Sequence, residues 1–272
     1  MLPDASLGTL KSPLPIIETH FHLDYLKNCP ADEIIFHSHQ MGVKKLITIA
    51  VEPGNLDRVI QLSQSYEQVY CTQGIHPHEA SHWNSEIKDQ IISNLKAHKK
   101  VVAIGETGLD YYYNKSPPQQ QIEVFKQQLQ LAVDFDLPVV IHTRDAEEDT
   151  AKILFQYSDK LKKKGVLHSF TSHADLAAKA LDLGFYLGFN GIITFKNAEN
   201  VRQVVKECPL ERMLVETDAP FLSPTPFRGR ENAPYLLPFV IQKIAEIKEI
   251  DCLTVLQAVY QNSLSLFDKL SS

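Results

Sequence analysis

The chain has 272 residues, of which 44% are hydrophobic and 22% charged, and a formal net charge of −6. That length supports one large domain with a full core, and the negative balance excludes a protein that coats nucleic acid by bulk attraction. A polyanionic substrate is not excluded, because bound cations can reverse the field inside a site.

No apolar run is long enough to span a bilayer, and Met1 to Pro15 lacks the basic start and apolar block of a signal peptide. Residues 1–14 read as a loosely ordered lead-in, ahead of a single domain over 15–272. Cys29, Cys71, Cys208 and Cys252 form no C-x-x-C and read as the reduced thiols of a cytoplasmic protein.

Ile16 and Ile17 open a β-run that ends in His20-Phe21-His22. Alternation along a strand puts His20 and His22 on one face. That pair suits a divalent metal, and equally two solvated histidines near a turn. Residues 30–41 read as a helix stopped by Gly42, 44–50 as a strand, and 53–65 as an amphipathic helix with proline near its start. A strand over 69–75 ends at His76-Pro77-His78, and 83–98 is helical. The apolar run 101–105 ends at Glu106, and a long helix covers 118–136. Strand 137–141 ends at His142, helix 145–163 follows, and strand 165–167 ends at His168. Helix 173–183, strand 185–189 and helix 197–208 lead to strand 213–216 and Asp218. Helices over 234–249 and 252–270 close the chain.

Eight short apolar runs, each followed by a helix, imply a parallel sheet covered on both faces. Eight units fit a (β/α)8 TIM barrel, with a doubly wound open sheet as the alternative. His20, His22, Glu106, His142, His168 and Asp218 end runs 1, 4, 5, 6 and 8, and in a barrel those ends share one mouth. Four imidazoles and two carboxylates converging there need a shared partner, and two divalent metal ions with a bridging carboxylate provide one. Taken singly, His142 or His168 reads as a hydrogen-bonded strand-end histidine, Glu106 as a partner for a lysine, and Asp218 as a turn residue. Those single readings require six coincidences at equivalent strand ends.

The motifs ETHFHLD (18–24), GIHPH (74–78), IGETGLDYY (104–112), IHTRDA (141–146), GVLHSF (165–170), GIITFKNA (191–198) and VETDAPFLSP (215–224) resemble the TatD-like metal-dependent hydrolases of the amidohydrolase superfamily. The resemblance covers most of the chain from residue 15 onward. It implies phosphodiester hydrolysis on DNA, expected here as a 3′–5′ exodeoxyribonuclease on single-stranded DNA. It further implies that His20, His22 and Asp218 hold one metal and His142 and His168 the other, with Glu106 bridging where some relatives carry a carboxylated lysine. His76 and Arg144 would meet the substrate phosphate, with Arg228 and Arg230 as further candidates. His76 also reads as a turn histidine set by Pro77, and Arg144 as a salt-bridge partner of Asp145 or Glu148.

The chain departs from the family pattern in three places. Glu18 stands where aspartate is usual, and Ser172 where glycine is usual. Glu231-Asn232-Ala233-Pro234 replaces the usual Arg-Asn-Glu-Pro, which removes one arginine and one glutamate from that loop.

The expected chemistry is attack by a metal-activated water, with Asp218 as ligand and proton acceptor, and Mg, Mn, Zn or a similar ion as the metal. A two-metal hydrolase of a small ester, amide or lactone is the rival enzyme reading, and a binding protein with a relict site is the rival from another class. The expected partner is DNA and not a membrane, with a monomer as the default.

Overall fold

The computed structural model describes residues 11–271. Eight strands form one sheet whose order follows the chain: β1 (Ile16–Phe21), β2 (Val43–Thr48), β3 (Val69–Gln73), β4 (Val101–Asp110), β5 (Val139–Arg144), β6 (Gly165–Leu167), β7 (Tyr186–Phe189) and β8 (Met213–Val215). Every paired neighbour is parallel. The two edges meet, since Thr19 Oγ1 donates to the Val215 carbonyl at 2.9 Å and the Asp218 N–H donates to the His20 carbonyl at 2.9 Å. A doubly wound sheet would reverse its strand order and keep open edges. The fold is therefore a (β/α)8 barrel.

Helices α1 (Ala31–Gln40), α2 (Leu56–Ser65), α3 (Ser85–Ala97), α4 (Pro118–Phe135), α5 (Glu147–Tyr157), α6 (Ala174–Asp182), α7 (Glu199–Glu207) and α8 (Leu237–Lys248) each follow a strand, and α9 (Cys252–Leu266) is extra. One large cluster of Ile, Leu, Val and Phe side chains contains the apolar residues of both strands and helices. A second cluster takes one or more residues from every strand, including Ile17, Ile47, Val102, Val140, Val166 and Leu214, and is joined by Phe267 and Leu270. Side chains that alternate inward fill the barrel as a packed core. The C-terminal turn seals the end opposite the mouth, because the Lys45 ammonium donates to the Leu270 carbonyl and Lys269 Nζ donates to the Val101 carbonyl at 2.9 Å, both near strand starts.

Two strands are longer at their C-terminal ends than their apolar runs. β4 continues through Glu106 to Asp110, and β5 through His142 to Arg144, so Glu106 and His142 lie within strands rather than at their ends. The reason is continued pairing of Gly108 with His142 and Asp110 with Arg144, which polar side chains conceal in the hydrophobic pattern. The expected helix 145–163 ends earlier, at Tyr157, where Ser158 Oγ donates to the Phe155 carbonyl at 2.9 Å and Lys160 turns its N–H onto the Tyr157 carbonyl. Residues 1–10 of the expected lead-in lie outside the described residues, while the Ser12 N–H donates to the Met41 carbonyl at 3.1 Å.

β4 carries the feature that aims the site. Ile104 pairs with Val139 and Thr107 with Ile141, so β4 has one residue more than β5 in that interval. Such a bulge redirects the intervening side chain, here Glu106. Gly105 makes the bulge possible: its φ is +145°, and a Cβ there would lie 2.6 Å from the Val140 carbonyl oxygen.

Candidate metal centre

Glu106 is the hub of the mouth. Its Oε1 lies 2.8 Å from His168 Nε2, 3.2 Å from His142 Nδ1 and 3.4 Å from His76 Nε2, and its Oε2 lies 3.5 Å from His20 Nε2. Asp218 Oδ1 lies 3.6 Å from His20 Nε2 and 3.5 Å from His22 Nε2. The structure thus brings together all six residues expected at the strand ends. Asp218 follows β8 in a left-handed conformation, φ +56°, which aspartate tolerates better than most residues. Its N–H is fixed by the His20 carbonyl, and its own carbonyl accepts from the Phe221 N–H at 2.9 Å.

The ring nitrogens are close to carboxylates yet poorly hydrogen-bonded. Both nitrogens of His20 and of His168, and Nδ1 of His22, are buried without a hydrogen-bond partner among the described residues. Burying such groups unpaired is costly. Three groups of donor atoms each converge within 4.8 Å: His20 with His168 and Asp218, His20 with His22 and Glu106, and His76 with Glu106 and His142. This imidazole and carboxylate donor set fits divalent cations.

The electrostatics favour the ligating forms of Glu106, Asp218, His76 and His20; burial would lower His22, His142 and His168 as well, but the Asp218, Asp110 and Glu106 carboxylates beside them raise all three. Burial alone would raise the Glu106 carboxyl, but the nearby His168 and His76, with His142 beside them, hold it well below the usual carboxylate range. Burial pushes His76 down to about 4, and burial with the neighbouring His168 lowers His20. A neutral imidazole offers a lone pair to a metal.

Sequence reasoning missed the supporting carboxylates. Asp110 Oδ2 lies 3.0 Å from His142 Nε2 and 3.1 Å from His78 Nε2, which turns His142 Nδ1 toward Glu106. Glu216 Oε1 accepts from the Ser169 N–H at 2.5 Å and lies 3.5 Å from His168 Nδ1. Glu18 Oε1 accepts from the N–H groups of His20 at 3.1 Å and Thr217 at 2.9 Å, which ties β1 to the end of β8. Outer carboxylates of this kind orient ligating histidines. Their signal was even spacing: Glu18 stands two before His20, Glu216 two before Asp218, and Asp110 four after Glu106.

The expected substrate contacts are placed unevenly. His76 sits at the centre itself, against Glu106. Arg144 has no carboxylate within salt-bridge distance among the described residues; its guanidinium lies over Tyr112 at 3.9 Å and Tyr113 at 4.8 Å from the ring centroids. It lines the mouth cavity of about 950 Å³ with His22, His76, Glu106, His142 and Asp218. Arg228 lies 3.5 Å over the Phe195 ring and lines a neighbouring cavity instead. Arg230 lines a third cavity, with Glu231.

A barrel whose mouth gathers these donors defines a metal-dependent hydrolase, and its relatives place it among those acting on ester bonds. The chain belongs to the family of TatD related DNases, which matches residues 17–268. It is 38% identical over 253 residues to the uncharacterized metal-dependent hydrolase YabD of Bacillus subtilis, covering 93% of this chain and 98% of that one. It is 34% identical over 242 residues to the 3′-5′ ssDNA/RNA exonuclease TatD of Citrobacter rodentium, covering 87% and 91%. Among solved structures it superposes on YjjV, a TatD homologue from Escherichia coli, with a TM-score of 0.87 and 32% identity over 93% of this chain and 98% of that one. No helix among the described residues is long and apolar enough to cross a membrane.

Proposed function

We propose that the protein is a two-cation phosphodiesterase that trims single-stranded DNA from its 3′ end. The observation that carries this reading is Glu106, whose two oxygens face four histidines within 3.5 Å. A carboxylate placed so can serve two cations at once. His20, His22 and Asp218 would hold one, and His142 and His168 the other. The polarity and the single-stranded substrate are supported by the name of the Citrobacter relative.

Bound there, divalent cations would acidify a water molecule and offset charge on the phosphoryl oxygens. The residues divide the remaining work. Glu106, held ionised, stays an acceptor throughout. Asp218 is the more exposed carboxylate, with side-chain exposure of 14% against 4% for Glu106. It takes the proton of the attacking water and returns it to the leaving oxygen. Arg144, unpaired with any carboxylate among the described residues, offers its charge to a non-bridging oxygen. A small-ester hydrolase would call for a closed apolar pocket. This mouth instead carries exposed Tyr113, Lys115 and Phe221 on its lining.

The test is incubation of metal-loaded protein with end-labelled single-stranded and duplex DNA. A ladder growing from the 3′ end of the single strand is expected. Absence of cleavage, or uniform internal cutting of duplex, would overturn the reading.

A further inference from the structure

Large exposed apolar side chains are unevenly distributed on this protein. Among the described residues they are Phe36, Tyr112, Tyr113, Phe155, Phe221 and Leu253. Phe36, Phe155 and Leu253 stand on outer helices. The other three crowd the mouth: Tyr112 and Tyr113 follow β4, Phe221 follows β8, and they are 56%, 54% and 52% exposed. Strands four apart in an eight-stranded barrel lie on opposite sides. Tyr113 and Phe221 therefore face each other across the cavity that both line.

Each ring packs against a histidine at or beside the centre. Tyr113 stands edge-on to His78 with centroids 5.4 Å apart, and His78 shares Asp110 with His142. Phe221 lies 6.1 Å from His22. Each is also anchored by its backbone: the Tyr113 N–H donates to Asp110 Oδ1 at 2.8 Å, and the Phe221 N–H donates to the Asp218 carbonyl at 2.9 Å. Arg144 lies over the tyrosine pair on the same rim. Rigid, exposed aromatic faces with a cation beside them are the recurrent way of holding unpaired nucleobases. Such anchoring lowers the ordering cost on binding.

We propose that Tyr113 and Phe221 are base-stacking faces for the two nucleotides that flank the scissile phosphate. The phosphate sits between the rims, and its neighbouring bases splay apart onto the two rings. Bases stacked on opposite walls cannot stack on each other or pair in a duplex. The requirement for a single strand then follows from the mouth itself. This rests on the phosphodiesterase reading above.

The experiment compares three otherwise identical oligonucleotides: intact, abasic at the 3′-terminal position, and abasic at the penultimate position. Stacking on an aromatic side chain makes each missing base cost about 5- to 150-fold in kcat/KM with the metal-loaded wild-type enzyme. Tyr113→Leu should abolish the penalty at one position and Phe221→Leu at the other. Tyr113→Phe should keep both penalties, as should Phe155→Ala on α5. Indifference of the wild-type enzyme to base removal, or penalties that survive both leucine variants, would overturn the proposal. Anisotropy titrations with the same labelled strands separate this from the catalytic reading. Base-dependent binding that the leucine variants lose, without any cleavage, removes the hydrolytic reading and leaves the stacking faces standing. Cleavage that ignores the bases does the reverse.

Discussion

Asp218 and His20 meet twice. The Asp218 backbone N–H donates to the His20 carbonyl at 2.9 Å, while its Oδ1 lies 3.6 Å from His20 Nε2. The first contact staples the loop after β8 to β1, and so fixes the reach of the second. Closure of the barrel and assembly of the site are one event at this point.

Asp218→Asn keeps the size and one coordinating oxygen but cannot accept a proton near neutral pH. Turnover at saturating metal should fall by ~10²–10⁴-fold, with metal binding only partly weakened. Turnover and metal occupancy measured on the same samples check this. A fully loaded variant cutting at wild-type rate would show that Asp218 is not the base.

Asp110→Ala leaves the proposed ligands themselves unsubstituted but removes the acceptor at His142 Nε2 that orients the ring. Loss of such an outer carboxylate typically costs 10–100-fold in metal affinity or activity. Calorimetric titration of metal into the variant should show that loss. Unchanged affinity would mean that His142 is oriented by packing alone.

Removal of metal should lower thermal stability. A ligand present at 100 times its Kd adds about 2.7 kcal/mol, which corresponds to roughly 5–10 °C in Tm for a domain of this size. Scanning calorimetry with and without chelator reads it directly. An unchanged Tm, on protein shown beforehand to carry metal, would indicate that the cations contribute nothing to the native state.

The barrel was legible because each strand is an apolar run followed by a helix. The alternation of Leu167-His168 or Val215-Glu216 with helical segments needs no knowledge of contacts. The six central residues stood out because a charged or imidazole side chain ended a buried run. Asp110 did not, since it sits beyond Gly108 in a stretch whose strand character comes from pairing with β5 rather than from hydrophobicity. His76 was legible as a site residue but not as a neighbour of Glu106, because that proximity depends on the bulge at Gly105. Arg228 was legible as a cation near the β8 loop. Its position over Phe195 depends on the long loop before α8, whose course no local pattern reveals.

Gly108→Ala should be destabilising. Its φ is +135°, and a Cβ there would lie 2.0 Å from the His142 carbonyl oxygen. Overpacking of this kind costs about 1–3 kcal/mol, and left-handed strain adds to it. Urea unfolding should show a lower midpoint, and metal affinity should fall as His142 is displaced. A variant as stable as wild type would mean that β4 and β5 separate freely here.

Glu106 is expected to bridge two cations. Crystals grown with Mn²⁺ and measured for anomalous scattering test it most directly. Two peaks are expected, one on each side of Glu106. One should lie within bonding distance of His20, His22 and Asp218, and the other within bonding distance of His142 and His168. A fully occupied single peak, or peaks that leave the Glu106 carboxylate uncoordinated, would contradict it.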